Sequence, residues 1–210
     1  LNASGQTPGN SGDSDLCGGC ASGGNSQTNG GDGIVVILWN SSPAAAFSST
    51  SVCYGNNTFF VDQSCNTVVN WIWNFGDGSP ADTMQNPSHF YSSPGLYPVT
   101  LIVADSLGIS DTAQNNINIH PLPMADFIAE NICLNDTMVF NDTSTITSGN
   151  IVAWQWDFGD GNTDTVQNPT HIYITPDTFT VTLSVTSDSG CTAIVGYQVV
   201  VYPLPVASFS

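Results

Sequence analysis

The stretch WIWNFGDG at residues 71–78 decides the fold, because it returns as WQWDFGDG at residues 154–161. Downstream of it, DTMQNPSHFY at 82–91 returns as DTVQNPTHIY at 164–173. The two segments recur at offsets of 83 and 82 residues, so they belong to one repeat. A repeat of this length predicts two copies of one small domain in tandem.

The repeat divides the chain into five parts. We expect a flexible Gly-rich leader over 1–33, an isolated hydrophobic strand and linker over 34–42, and two modules over 43–122 and 123–204. The final stretch, PVASFS at 205–210, matches PAAAFS and PMADFI, with which the two modules open. It therefore predicts the first strand of a third module, either truncated or exchanged with another chain.

Apolar residues in each repeat follow the period of a strand. In the second repeat Phe179, Val181, Leu183 and Val185 alternate with threonine and serine, which is typical of a strand with one face in the core. The same inward face is expected of Tyr97, Val99, Leu101 and Val103, of Ile117 and Ile119, and of Tyr197, Val199 and Val201. No segment has the period of a helix. About seven short strands in some 80 residues predict an all-β fold with one small β-sandwich per module.

The charge of the chain is one-sided. It has 17 acidic residues and no Lys or Arg, which gives a formal net charge of −17. Nothing in such a chain neutralises phosphates, so binding to nucleic acid or to anionic lipid is not expected. Lysine- or arginine-dependent chemistry is impossible, and the composition predicts no internal salt bridge. Trypsin-like proteases also have no cleavage site, which favours an extracellular location.

Two further features of the composition bear on location. The longest apolar run, residues 34–39, is too short to cross a membrane, so no membrane insertion is expected. Six cysteines in an acidic chain favour an oxidising compartment over the cytosol. We therefore expect a secreted protein.

The pattern WxFGDG followed by NPxHxY resembles the PKD (polycystic kidney disease) domain, an immunoglobulin-like β-sandwich, and the resemblance covers residues 43–204. The linkers of form PLPxAxF at 121–127 and 203–209 are similar to those that join tandem PKD modules in bacterial surface proteins exported by type IX secretion. Such proteins include long gliding-motility adhesins and secreted hydrolases with PKD spacers. The resemblance implies a module that spaces, displays or binds, without catalytic residues or a required cofactor.

The resemblance also bears on the cysteines of the two modules. Arrays of this family often carry one cysteine before strand B and another after the F–G hairpin, which here are Cys133 and Cys191. In the first module Ile109 takes the second of these positions, so Cys53 has no mate within its module. Sandwich topology allows a second pairing, Cys53 with Cys191 across the junction. Both alternatives stay open at the level of sequence.

The other three cysteines are less constrained. Cys65 lies on the far side of strand B from Cys53, and the extended stretch between them disfavours a direct bond. Cys17 and Cys20 form a CGGC motif without the following helix of a redox site or a second close pair for zinc. We expect a local or intermolecular disulfide there.

The histidines of the HxY segments and the aspartates of the FGDG turns are further candidates. His89 and His171 occupy equivalent positions, which predicts a structural hydrogen bond, and the turn aspartates are expected to bond their own backbone. Asp160, Asn162 and Asp164 follow the opening DxNxD of an EF-hand loop, although the later glycine and glutamate of that loop are missing. Some PKD-type modules bind Ca²⁺, so these three residues are candidate calcium ligands.

Five sites resemble the O-glycosylation signal of type IX-secreting bacteria, in which Asp precedes Ser or Thr and an apolar residue follows. They are Thr83, Ser106, Thr112, Thr137 and Thr165. We treat them as candidate glycosylation sites.

Together these features predict a non-enzymatic segment of a secreted, surface-displayed fibre, whose PKD modules act as a rigid, protease-resistant stalk or adhesin. Its partners would be other modules or subunits of the same protein and a surface polysaccharide or protein ligand. One alternative is a filament subunit that polymerises by strand exchange. The strand in question comprises Ile34, Val35, Val36, Ile37 and Leu38. Another alternative is a spacer of an extracellular hydrolase whose catalytic domain lies elsewhere.

Overall fold

The computed structural model describes residues 42–206, and this part of the chain is all-β. The strands of the first repeat are β1 (Phe47–Ser49), β2 (Val52–Cys53), β3 (Thr58–Asp62), β4 (Asn70–Asn74), β5 (Ser88–His89), β6 (Gly95–Ala104) and β7 (Ser110–His120). Those of the second are β8 (Phe127–Ala129), β9 (Ile132–Cys133), β10 (Thr137–Asp142), β11 (Ile151–Asp157), β12 (Thr163–Asp164), β13 (Thr170–Ile172), β14 (Thr178–Ser187) and β15 (Thr192–Tyr202). No helix in these residues is long and apolar enough to cross a membrane.

Both repeats build their sheets in the same order. The first has a three-stranded sheet, β1-β3-β5, and a four-stranded sheet, β2-β7-β6-β4. The second has β8-β10-β13 and the five-stranded β9-β15-β14-β11-β12. The extra strand β12 has a counterpart in the first repeat, where an isolated bridge joins Trp73 and Asp82. All strand pairs with a stated register are antiparallel except β2 with β7 and β9 with β15.

The described residues form two compact units whose boundary does not follow the sequence repeat. The first unit contains residues 42–50, 58–89 and 97–117. The second contains residues 51–57, 90–96 and 118–206, so it includes two short segments of the first repeat.

Each unit has an aromatic core that the strand period places inward. Trp73 and Trp156 are fully buried, and their indole N–H groups donate to the backbone carbonyls of Met84 (2.9 Å) and Val166 (3.0 Å). Burial of each such ring contributes on the order of 3 kcal/mol. Around Trp73 lie the buried residues Phe47, Phe60, Phe75, Val99, Leu101 and Val103, and around Trp156 lie Phe127, Met138, Phe140, Phe158, Val181, Leu183, Val185, Val199 and Val201.

The predicted inward faces of the long strands are confirmed except at two tyrosines, of which Tyr97 is only half-buried. Phe179 and Val181 are buried, as are Ile117 and Ile119 in the first repeat. Tyr197 was expected to share the face of Val199, but it is 46% exposed. Its hydroxyl donates to Asp126 Oδ1 at 2.9 Å, because a phenol keeps its polar end where an acceptor or water can reach it.

The FGDG turn packs its first glycine against the neighbouring strand. Gly76 has φ of 79°, and a Cβ there would lie 2.6 Å from the carbonyl oxygen of Pro98. Gly159 of the second repeat is equally crowded, with Thr180 O at 2.5 Å. The second glycine of the turn, Gly78, has φ of 83° but open space around it. The two glycines are thus required for different reasons, close approach in one case and backbone conformation alone in the other.

We predict that Gly76→Ala destabilises the chain far more than Gly78→Ala. Both substitutions place alanine in the left-handed region, which costs about 1–2 kcal/mol. Only Gly76→Ala adds a clash with backbone, so its loss of unfolding free energy should be larger by about 2 kcal/mol or more. Urea denaturation followed by tryptophan fluorescence measures both losses. Equal losses for the two variants would contradict the packing argument.

Candidate functional site

Each repeat places its histidine against the aspartate of the FGDG turn. His89 Nε2 donates to Asp77 Oδ2 at 2.7 Å, and its ring stacks on Phe75 with 4.0 Å between the ring centroids. The second repeat has the same arrangement, formed by His171, Asp160 and Phe158 (2.7 Å and 4.3 Å). The histidines lie in β5 and β13 of the three-stranded sheets, whereas the turns follow β4 and β11 of the other sheets. The hydrogen bond therefore ties the two sheets of a sandwich together.

Asp77 lies between a serine and a histidine, an order of groups that differs from that of a catalytic triad. Ser79 Oγ donates to Asp77 Oδ1 at 2.6 Å, so the carboxylate lies between the hydroxyl and the imidazole. In a hydrolase triad the histidine holds the middle position, because it must take the proton of the nucleophile. Asn162 takes the place of Ser79 in the second repeat, which has no hydroxyl there. The predicted structural role of both histidines fits this geometry.

These contacts also set the charge state of the turn. Partial burial acts to raise the pKa of Asp77, but hydrogen bonds from Ser79 and His89 outweigh it and lower that pKa to about 2. The pKa of Asp160 is lowered by the same balance, with bonds from His171 and Asn162. When its imidazole is protonated, each pair is an ion pair. The prediction of no internal salt bridge is wrong for these two pairs, because it counted only Lys and Arg as cations.

A second aspartate in each repeat accepts from a tryptophan, and sequence reasoning missed it. Asp62 Oδ2 accepts from Trp71 Nε1 (2.7 Å) and from Gln85 Nε2 (3.0 Å), while its Oδ1 accepts from the amide of Ser64 (2.9 Å). The second repeat has the equivalent group of Asp142, Trp154, Gln167 and Ser144. Burial acts to raise the pKa of Asp62, and these bonds lower it overall. The recurrence of Asp, Trp and Gln at offsets of 80, 83 and 82 residues was the available signal.

The calcium candidates are occupied by hydrogen bonds of their own turn. Asp160 Oδ1 accepts from the amide of Asn162 (3.0 Å), as predicted for a turn aspartate. Asp164 Oδ1 accepts from the amides of Thr165 (2.6 Å) and Val166 (2.9 Å). Within residues 42–206, no three His, Cys, Asp or Glu side chains come together as a metal site. Asp160 and Asn162 lie in the turn, whereas Asp164 lies in β12.

All five candidate glycosylation sites are exposed: Thr83, Ser106, Thr112, Thr137 and Thr165. At three of them, the preceding aspartate accepts a hydrogen bond from a nearby backbone amide. Asp82, Asp105 and Asp164 each accept a hydrogen bond from the amide two residues later, in Met84, Leu107 and Val166. The turn chemistry thus accounts for the Asp-Ser/Thr-apolar pattern at these places, and modification stays a prediction.

The structure joins Cys53 to Cys191, with 1.99 Å between the sulfurs and 5.7 Å between the Cα atoms. Cys133 is free and exposed, so the pairing of Cys133 with Cys191 is wrong. Cys53 and Cys191 belong to the same compact unit, and the separation of their Cα atoms is typical of a disulfide. Cys65 is buried and also disulfide-bonded.

Some predicted residues lie outside the described part of the chain. These are Cys17 and Cys20, the strand Ile34–Leu38 and residues 207–210.

Comparison with known proteins agrees with the repeated site. The PKD domain family matches the chain twice, over residues 40–119 and 120–201. The pre-pro-metalloprotease PrtV of Vibrio cholerae serotype O1 (strain M66-2) is 31% identical over 140 residues, which is 65% of this chain and 15% of that protein. A microbial collagenase of Vibrio alginolyticus is 44% identical over 64 residues, 30% of this chain and 8% of that protein.

A solved structure, the PKD1 domain from the Vibrio cholerae metalloprotease PrtV, is 34% identical. It covers 39% of this chain and 98% of its own, with a TM-score of 0.37.

The two family matches extend over most of the sequence, and the chain belongs to the PKD domain family. Residues 40–201 are tandem immunoglobulin-like modules of a non-catalytic class, which confirms the predicted fold and family. The matched parts are only 15% and 8% of the two relatives named above.

We predict that Asp77→Asn weakens the acid dependence of stability. Folding lowers the pKa of Asp77 from 3.8 to about 2. At pH values above 3.8 the ionised carboxylate therefore stabilises the folded chain. This contribution is lost as the pH falls from 3.8 toward the folded pKa of about 2. The gap in unfolding free energy between wild type and Asp77→Asn should shrink by about 1 kcal/mol between about pH 5 and pH 2, because solvent screens a carboxylate that is only partly buried. Urea denaturation at several pH values measures the gap.

The matched control is Asp136→Asn, which removes the same charge from an exposed position. Its gap to wild type gives the reference for the loss of one negative charge at each pH. Parallel curves for Asp77→Asn and wild type would show that the bonds to Ser79 and His89 contribute nothing through ionisation.

Proposed function

We propose that the chain is a non-catalytic spacer, two PKD modules of an extracellular stalk linked covalently to each other. The observation that carries this proposal is the disulfide between Cys53 of the first family match and Cys191 of the second. A disulfide between two repeats limits their relative motion, which serves a stalk and has no part in substrate chemistry. We propose that the stalk is exported by type IX secretion, displayed at the cell surface and in contact with a polysaccharide or protein ligand.

The use of the polar side chains supports a structural role. The aspartates of the FGDG turns bond to histidines, and those of β3 and β10 bond to tryptophans. Catalytic groups need a free face toward a substrate and a partner for proton transfer. In both repeats these aspartates, histidines and tryptophans are used in bonds between the sheets instead. A chain without Lys or Arg also withstands trypsin-like proteases.

A second candidate function is that of a spacer in an extracellular hydrolase. The names of the relatives favour it, since one is a metalloprotease and one a collagenase. In both cases the match is a small part of the relative, which leaves room for a catalytic domain elsewhere. The filament alternative depends on Ile34–Leu38, and no contact of the described residues favours it.

We predict that loss of the Cys53–Cys191 bond loosens the pair of modules. In small-angle X-ray scattering, Cys53→Ala with Cys191→Ala should give a larger radius of gyration and a broader distribution of distances than wild type. Cys133→Ala is the matched control, because it removes a free cysteine and should scatter like wild type. Identical scattering from the double variant and wild type would contradict the stalk, provided that both are folded by circular dichroism.

We predict that the native parent polypeptide, denatured and reduced, is many times larger than the 22.0 kDa of this chain. A parent built mostly of further repeats supports the stalk, and a parent with one catalytic domain supports the hydrolase spacer. A native subunit of about the mass of this chain that forms long assemblies would overturn both and favour strand exchange. Mass spectrometry of the intact, reduced protein makes the distinction.

A further inference from the structure

Cys133 repeats the position of a cysteine that is already bonded. Cys53 lies at the end of β2 and Cys133 at the end of β9, the equivalent strand of the second repeat. Cys53 is bonded to Cys191, whereas Cys133 is free and exposed. One of two equivalent thiols thus has its partner within residues 42–206, and the other has not.

The backbone around the two cysteines is the same. β2 pairs with β7 in parallel and sets Cys53 beside His120, while β9 pairs with β15 in parallel and sets Cys133 beside Tyr202. In both cases the amide after the cysteine donates to the carbonyl of that neighbour, at 2.7 Å and 2.8 Å. In both cases the amide three residues after the cysteine donates back to the cysteine carbonyl, at 3.2 Å and 3.1 Å. The geometry that presents Cys53 therefore also presents Cys133.

The partner of Cys53 has an equivalent position in the first repeat as well. Cys191 lies in the hairpin between β14 and β15, where its carbonyl accepts from the amide of Ser187 at 2.8 Å. In the hairpin between β6 and β7, Ile109 accepts in the same way from Asp105 at 3.0 Å. The first repeat thus has a strand cysteine and no hairpin cysteine. The second has both, and its hairpin cysteine is already used.

We propose that Cys133 forms the next disulfide of a series, with the hairpin cysteine of a PKD module that follows on the same polypeptide. The inference rests on the proposed spacer function, because it requires further modules. The sequence PLPMADF, which leads into the second repeat at 121–127, recurs as PLPVASF at 203–209. The hairpin cysteine of a second copy of this chain is not available to Cys133, since that Cys191 is bonded to its own Cys53.

The bond forms by thiol–disulfide exchange. The Cys133 thiolate attacks an oxidant disulfide, either a small-molecule disulfide or a thiol oxidoreductase, and releases one thiol. The hairpin thiolate then displaces the second half of the oxidant from Cys133 and closes the new S–S bond. Two cysteine thiols are oxidised, and the oxidant takes up their two electrons and two protons as two thiols.

The test extends the full chain by one module. Residues 128–206 are appended after Phe209, which corresponds to Phe127, and Cys133→Ser is introduced in the added copy alone. The protein is made in an oxidising compartment, labelled with maleimide without denaturant, and mapped with pepsin under non-reducing conditions. In the 210-residue chain the original Cys133 should label fully. In the extended chain its labelling should fall at least tenfold, with a peptide that joins it to Cys191 of the added copy.

The matched control is the extended chain with Cys191→Ile in the added copy. Isoleucine is the residue that the first repeat has at this place, in Ile109, so the hairpin is expected to keep its fold. Labelling of Cys133 should return to that of the 210-residue chain. Equal, full labelling in the extended chain and in this control would overturn the proposal.

A second measurement does not depend on the folding of an added module. The native parent protein is trapped with maleimide and mapped in the same way. A link from Cys133 to a hairpin cysteine of another PKD module supports the inference, and a labelled Cys133 or a link to any other residue overturns it. A parent with further modules but a free Cys133 overturns this inference alone, whereas a parent of about the mass of this chain overturns the proposed function too.

Discussion

Seventeen carboxylates in a chain without Lys or Arg depend for hydrogen bonds on water, on histidine and on uncharged N–H and O–H donors. This constraint explains which donors recur in the structure. Asp62 takes an indole N–H, a side-chain amide and a backbone amide, and Asp77 takes an imidazole and a serine. Asp105 is 3% exposed and accepts from the amides of Leu107 and Ile109. Hydrogen bonds to the charged form favour ionisation, and they lower the pKa of Asp62 and of Asp77 against the opposing effect of burial.

The lack of lysine and arginine also explains the roles of the two tryptophans in each WxW pattern. The Trp71–Asp62 bond joins β4 of one sheet to β3 of the other, and the tryptophan that follows by two residues, Trp73, fills the core. Because residues two apart share one face of a strand, both rings point into the sandwich, with Trp73 fully buried and Trp71 only partly buried. The second repeat does this with Trp154 and Trp156. In the WxW pattern one tryptophan thus fills the core and the other bonds to an aspartate of the opposite sheet, which holds the two sheets together without lysine or arginine.

Much of this could be predicted from local pattern. The alternation in β14 specifies its buried face, and the recurrence of FGDG specifies the turn and its histidine. The Trp–Asp bonds were missed because each joins strands of different sheets, a relation that no single-strand period encodes. The choice between Cys133 and Cys53 as the partner of Cys191 depends on a distance in space, which sequence leaves open. The burial of Tyr197 was predicted wrongly because its apolar ring favours the core, whereas its hydroxyl needs a hydrogen-bond acceptor and bonds to Asp126 near the surface.

The disulfide also changes how the chain would carry tension. Cys53 and Cys191 are 138 residues apart in sequence but share one covalent bond, so a pull on the two ends passes through sulfur rather than through the folded strands between them. A loop of that length, fully drawn out, would measure roughly 450–500 Å. While the bond is intact, none of that length can be released, even if every strand inside the loop unfolds. Reduction of one S–S bond would turn a nearly inextensible tether into a long and compliant one.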